Sequence, residues 1–127
     1  MRLLLDTHIA LWAVTAHPSM PARATELILS ADAVFVSAAS IWEISIKHAL
    51  KPAQMSISGQ QALGEFQAAG FSLLAISPVH AAAVDRLAAH HRDPFDRMLL
   101  AQAIHEPLRL LTCDQQLAAY SELVLPV

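Results

Sequence analysis

Residues 2–14 read RLLLDTHIALWAV, and the way this stretch divides decides the fold. Arg2 to Leu5 is a compact aliphatic run of strand length that stops at Asp6, and Ile9, Leu11, Trp12 and Val14 then continue as a first helix. A short apolar strand followed at once by a helix is the building unit of a parallel sheet. The unit recurs down the chain. A second helix is expected from near Ser19, with Pro21 in its first turn, to Ser30. Val34, Phe35 and Val36 form a β-branched and aromatic strand, and Ser37 caps a helix through Ile41, Trp42, Ile44, Ile46 and Leu50 that is apolar almost all round. Ser58 caps a helix over residues 60–69, closed by Gly70 before a strand from Phe71 to Ile76. Ser77 and Pro78 open another helix. Asp93 caps the next, whose buried side is Met98, Leu99, Ala101, Ala103 and Ile104 and which ends before Pro107. Arg109 to Thr112 is a strand, Asp114 to Tyr120 a short helix, and Leu123 to Leu125 a last strand. Five strands and about seven helices alternate without repeat or linker, which predicts one α/β domain over residues 1–127 built on a central five-stranded parallel sheet.

Composition narrows the function. The chain has 127 residues, 55% hydrophobic and 15% charged, enough to bury an aliphatic core without disulfides. Eight Lys and Arg against eleven Asp and Glu leave a formal charge of −3, too acidic for the broad positive field that draws nucleic acid over a whole surface. Any nucleic acid must be held locally. Asp6 and His8 interrupt the first apolar stretch before it could serve as a signal-peptide core, and no later run reaches the ~18 residues of a membrane span. The expected location is therefore the cytoplasm, with no membrane partner. Lone Cys113 reads as a small buried hydrophobe rather than a nucleophile.

The acidic residues carry the chemistry. Asp6 and Asp114 fall at or just past the ends of parallel strands, and Asp96 in the first turn of a helix, all places on the sheet edge where α/β proteins bind ligands. Glu43, about two turns into its helix, leans back over the same edge. Carboxylates crowded there repel one another and call for a cation, and oxygen-only donors favour Mg²⁺ or Mn²⁺. Phosphodiester hydrolysis is the natural reaction class. Duller readings stand beside this one. Asp96 and Asp114 serve equally well as helix caps, Asp93 reads as a cap alone, and Glu43 with Lys47 makes an i,i+4 pair. The histidines show no ligand spacing; His90 and His91 are adjacent, and His8 reads as structural or as a residue that orients substrate. Trp12 and Trp42 are expected as core anchors ahead of base-stacking platforms.

With these residues laid out, the sequence resembles the PIN-domain ribonucleases of the VapC toxin type found in prokaryotic toxin–antitoxin pairs. The segments that carry the likeness are LLLDTHIALWA at 3–13, VSAASIWEISIKHALK at 36–51, HRDPFDRMLLAQA at 91–103 and LLTCD at 110–114. The resemblance implies a three-layer α/β/α fold and a metal-dependent endoribonuclease that hydrolyses RNA phosphodiester bonds with metal-activated water. It implies that Asp6, Glu43, Asp96 and Asp114 are catalytic and hold Mg²⁺ or Mn²⁺, that Thr112 supports the last of them, and that Asp93 is not a primary ligand. A cognate antitoxin and a homodimer are the implied protein partners. Cys113 and Leu117 depart mildly from the family pattern. Lys47 and Arg97 are the cations expected to contact RNA, ahead of Lys51 and Arg92. Two other readings remain: a non-catalytic PIN-like module that binds a protein partner through its acidic pocket, and an aspartyl-phosphate phosphotransfer domain, against which His8 stands where a second Asp is usual.

Overall fold

The computed structural model describes residues 1–88 and 93–127. Five strands, β1 (Arg2–Leu5), β2 (Ala33–Ser37), β3 (Ser72–Leu74), β4 (Arg109–Thr112) and β5 (Val124–Pro126), form one sheet in the order β3-β2-β1-β4-β5. Every pairing is parallel. Six helices, α1 (Thr7–Thr15), α2 (Ala22–Ser30), α3 (Ala38–Leu50), α4 (Gly59–Ala68), α5 (Pro78–Ala83) and α6 (Pro94–His105), cover both faces, with 3-10 segments at Val84–Arg86 and Gln115–Tyr120. The expected α/β architecture and five-stranded parallel sheet are what the chain adopts.

The strands bury both of their faces because their side chains alternate. Leu3 and Leu5 point into one apolar cluster with Ile9, Val36, Ile44, Phe66 and Leu111, while Leu4 points into the other with Leu99, Leu100, Leu110 and Leu117. All three leucines of β1 are completely buried, which a central parallel strand requires.

Several elements differ from the sequence reading, each for a local reason. The strand expected over Phe71–Ile76 contracts to Ser72–Leu74, an edge strand paired only with β2. Beyond it the Ala75 carbonyl accepts from the Gln102 side chain at 3.3 Å instead of from a strand. Pro21 stands outside α2 as its N-cap rather than in its first turn. The segment after Asp114 winds as a 3-10 helix. Trp42 is 59% exposed and is no core anchor, because α3 buries the face made by Ala39, Ser40, Glu43 and Ile44. Its ring instead meets Phe95 edge-on, centroids 5.4 Å apart. Trp12 is half-buried against the first cluster. Ile104, expected on the buried side of α6, is exposed.

The position of α3 depends on a glycine. A Cβ on Gly59, the first residue of α4, would lie 1.8 Å from Ser45 Oγ and 3.2 Å from the Ile41 carbonyl oxygen. Gly59→Ala should therefore destabilise the protein by about 1–3 kcal/mol, as overpacking does. Adding Ser45→Gly should recover part of that loss in urea denaturation. Additive effects of the two changes would contradict the close approach.

Candidate metal centre

The strand order sets the place of the site. From β1 the chain moves to one side through β2 and β3, and only later returns to the other side of β1 as β4, so the C-terminal ends of β1 and β4 flank a topological switch point where α/β sheets leave a crevice. Asp6 follows β1 directly and Asp114 lies two residues past β4. The β1–β4 pairing continues one step beyond the strand, with Asp6 N–H donating to the Leu111 carbonyl at 3.0 Å. The N-terminal ends of α1 and α6 face the same edge, and α3 brings Glu43 over it. The result is a cleft of about 400 Å³ into which Asp6, Glu43, Asp93, Asp96 and Asp114 open together, with Lys47 among them.

Fixed hydrogen bonds orient these carboxylates. Asp6 Oδ1 accepts the Ile9 N–H at 2.9 Å and caps α1, while its Oδ2 accepts the Thr112 hydroxyl at 2.5 Å. The same Thr112 Oγ1 accepts the Asp114 N–H at 3.0 Å, so one buried hydroxyl ties the ends of β1 and β4 together. Thr112 thus holds the backbone N–H of Asp114 and the side chain of Asp6 together. Asp114 Oδ1 accepts from Gln116 N–H at 2.9 Å and Asp93 Oδ1 from Phe95 and Asp96 N–H at 2.9 and 3.1 Å. Glu43 Oε1 accepts from the Thr7 hydroxyl at 2.6 Å, and its Oε2 lies 2.5 Å from Lys47 Nζ. Thr7 is a member of the site that sequence reasoning missed, although a hydroxyl residue directly after the acid at a strand end was the available signal.

Electrostatics follow from burial. Asp6 is only 8% exposed and Glu43 4%. Burial pushes the Asp6 carboxyl above its ordinary range, against the lowering effect of the Thr112 and Ile9 hydrogen bonds, and the Glu43 charge adds to the rise. Burial also pushes the Cys113 thiol up, with the Asp6 charge second, which keeps it protonated and unsuited to nucleophilic attack.

The donor set fits a hard divalent ion: several carboxylate oxygens converge with no sulfur or imidazole donor among the expected ligands, the preference of Mg²⁺ and Mn²⁺. Asp6, Glu43, Asp96 and Asp114, the four expected ligands, all line the cleft, and Asp93 joins them while also capping α6. His8 lines it too, exposed against the Trp12 ring. Of the two cations expected to meet RNA, only Lys47 is there. The Arg97 guanidinium donates to the Ala88 and Val84 carbonyls at 2.8 and 3.2 Å, in a groove beside Trp42 and Phe95. Lys51 ends α3 outside the cleft lining, and Arg92, His90 and His91 lie outside the described residues.

A second group of possible ligands, His80, His105 and Glu106, sits at the other end of α6, about 13 Å along the helix from Asp96. It suits a metal poorly. His80 Nδ1 accepts the Ser77 N–H at 3.0 Å, which places the ring proton on Nε2, where it is donated to Glu106 Oε2 at 2.5 Å.

The family model described as PIN domain matches residues 3–123. Ribonuclease VapC22 of Mycobacterium tuberculosis is 31% identical over 122 residues, covering 93% of this chain and 91% of that one. The fold is similar to that in the crystal structure of VapBC2 from Rickettsia felis bound to a DNA fragment from their promoter, with a TM-score of 0.71, 19% identity and coverage of 98% and 96% of the two chains. A toxin–antitoxin complex from Klebsiella pneumoniae gives a TM-score of 0.66 at 18% identity over 97% and 95%.

The raised Asp6 carboxyl yields a signed prediction. Folding favours its protonated form, so that contribution to stability is full at pH below the ordinary carboxylate range and is lost as pH rises through the elevated value. In metal-free buffer the thermal midpoint of Asp6→Asn should climb relative to that of the parent protein as pH rises above the ordinary carboxylate range. Saturating Mg²⁺ should abolish the climb by stabilising the ionised parent. A midpoint difference that stays constant with pH would contradict the burial argument.

Proposed function

The chain belongs to the PIN-domain family, among its VapC-type members, and from that premise we propose that it is a metal-dependent endoribonuclease, the toxin of a toxin–antitoxin pair. The observation that carries the reading is the meeting of Asp6, Glu43, Asp96 and Asp114 in one cleft at the switch point of a parallel sheet. These four residues, distant in sequence, would hold Mg²⁺ or Mn²⁺. When bound, such an ion supplies Lewis-acid polarisation of a phosphoryl oxygen and lowers the pKa of water to generate a nucleophile.

The chain's own residues do the rest. Thr112 and the Ile9 N–H hold the Asp6 carboxylate in one orientation, so that little rearrangement is needed when the phosphate arrives. Thr7 does the same for Glu43. Lys47 is the cation of the cleft that faces an incoming RNA phosphate, and Trp12 and His8 form part of its wall. An overall charge of −3 makes such a local cation set necessary, because the protein as a whole repels RNA.

On the same reading the partners are RNA, a cognate antitoxin and a second copy of the chain, and the place of action is the cytoplasm. The toxin–antitoxin complex named above supports the antitoxin. Among the described residues no helix is long and apolar enough to cross a membrane.

The test is RNA cleavage by the purified, partner-free protein. Structured RNA should be cut in Mg²⁺ or Mn²⁺ and spared in EDTA, and Asp6→Asn or Asp96→Asn should lower the rate at least about 100-fold. Folded Asn variants that retain full cleavage, or a parent protein inert in both metals, would overturn the proposal, the second result in favour of a binding module.

A further inference from the structure

Glu43 is held in the cleft by a hydroxyl on one oxygen and by an ammonium on the other. Its side chain is 5% exposed, and each of its oxygens already has a donor on the chain. Oε1 takes the Thr7 hydroxyl proton at 2.6 Å. Because that hydroxyl has a single proton, the contact at 3.0 Å between Thr7 Oγ1 and Ser40 Oγ must be a donation from Ser40, and a short relay of hydroxyls backs Glu43 from behind. Oε2 faces the Lys47 ammonium at 2.5 Å. Lys47 is one helical turn away on α3, lines the cleft and keeps its side chain 43% exposed.

An exposed i,i+4 pair of this kind is held weakly because water competes for both charges. Here water is excluded from the acid, and the acid stands beside Asp6, whose charge is itself costly to bury. In two-metal phosphodiester chemistry a second divalent ion sits about 3.5–4 Å from the first and needs carboxylate oxygens of its own. One oxygen of Glu43 is already taken by an ammonium tethered to the same helix. A compact ammonium can also do part of what a second ion does, neutralising a phosphate oxygen as a point charge.

We propose that Lys47 is the built-in second cation of this site: its ammonium holds the Glu43 side of the cleft, so that the chain takes one divalent ion rather than two. This rests on the proposed reading of the cleft as a metal centre. It assigns Glu43 and Lys47 to a pair that faces the phosphate together, and it sets the ion stoichiometry by a residue that is not a ligand.

The test counts ions rather than turnover. Mn²⁺ is titrated into the full chain while free Mn²⁺ is followed by electron paramagnetic resonance, with far-ultraviolet circular dichroism confirming that each variant is folded. The parent protein should bind one ion per chain. Lys47→Met should either admit a second ion or bind the first about tenfold more tightly, since a positive charge has left an acidic cleft. Lys47→Arg, which keeps the charge, should still bind a single ion. Two ions in the parent, or a Lys47→Met variant with unchanged stoichiometry and an affinity within about twofold, would overturn the proposal. A parent that binds one ion and cuts RNA while Lys47→Met behaves identically removes this inference alone. A parent that binds no Mn²⁺ removes the metal-centre reading together with it.

Discussion

Negative side chains that share a poorly hydrated cleft repel one another, and this chain is arranged around meeting that repulsion. Five carboxylates open into one space, two of them almost wholly removed from water. What keeps them there is a set of fixed donors: the Thr112 and Thr7 hydroxyls, the backbone N–H groups of Ile9, Gln116, Phe95 and Asp96, and the Lys47 ammonium. The positive ends of α1 and α6 point the same way and offset part of the charge. Strand order supplies the geometry, because the reversal in the order of strand addition at β1 brings Asp6 and Asp114 to adjacent strand ends. The raised Asp6 carboxyl records what the donors leave uncompensated.

Capping and ligation, which look like rival explanations for an acidic residue, coexist here. Asp6 caps α1, Asp93 caps α6 and Asp114 caps the segment Gln115–Tyr120, and all three still line the cleft. A carboxylate has two oxygens with about four acceptor positions, so a cap consumes only part of its capacity. The cap also restricts the side-chain torsions of a carboxylate that opens into the cleft. Helix initiation and site organisation are therefore one device in this fold, and a change that removes a cap loosens the site as well.

Much of this was readable before the structure. The aliphatic run ending at Asp6 and the caps at Ser37, Ser58, Ser77 and Asp93 follow from local pattern, because short strands and helix starts have strong local signatures, whereas local pattern leaves Asp96 and Asp114 open between cap and ligand and only the family resemblance singles out the four carboxylates. Residues whose roles arise between elements were not readable. Trp42 sits among apolar neighbours in sequence and yet faces outward against Phe95, since which face of an all-apolar helix is buried depends on what packs on it. Arg97 follows a site aspartate directly but turns away to the carbonyls after α5. Thr7 and the buried link from Ser37 through Gln102 to His80 join residues far apart in the chain, and spacing alone does not reveal such contacts. The edge strand β3 was overextended because its apolar composition continues past the point where its hydrogen-bond partner changes.

On the proposed reading the gathered carboxylates hold a divalent ion. Anomalous diffraction from a crystal soaked in Mn²⁺ examines it most directly. An anomalous peak is expected in this cleft with carboxylate oxygens of Asp6 and Asp96 about 2.0–2.3 Å away. Crystals saturated with Mn²⁺ that show no peak there, or a peak only at His80, His105 and Glu106, would contradict it.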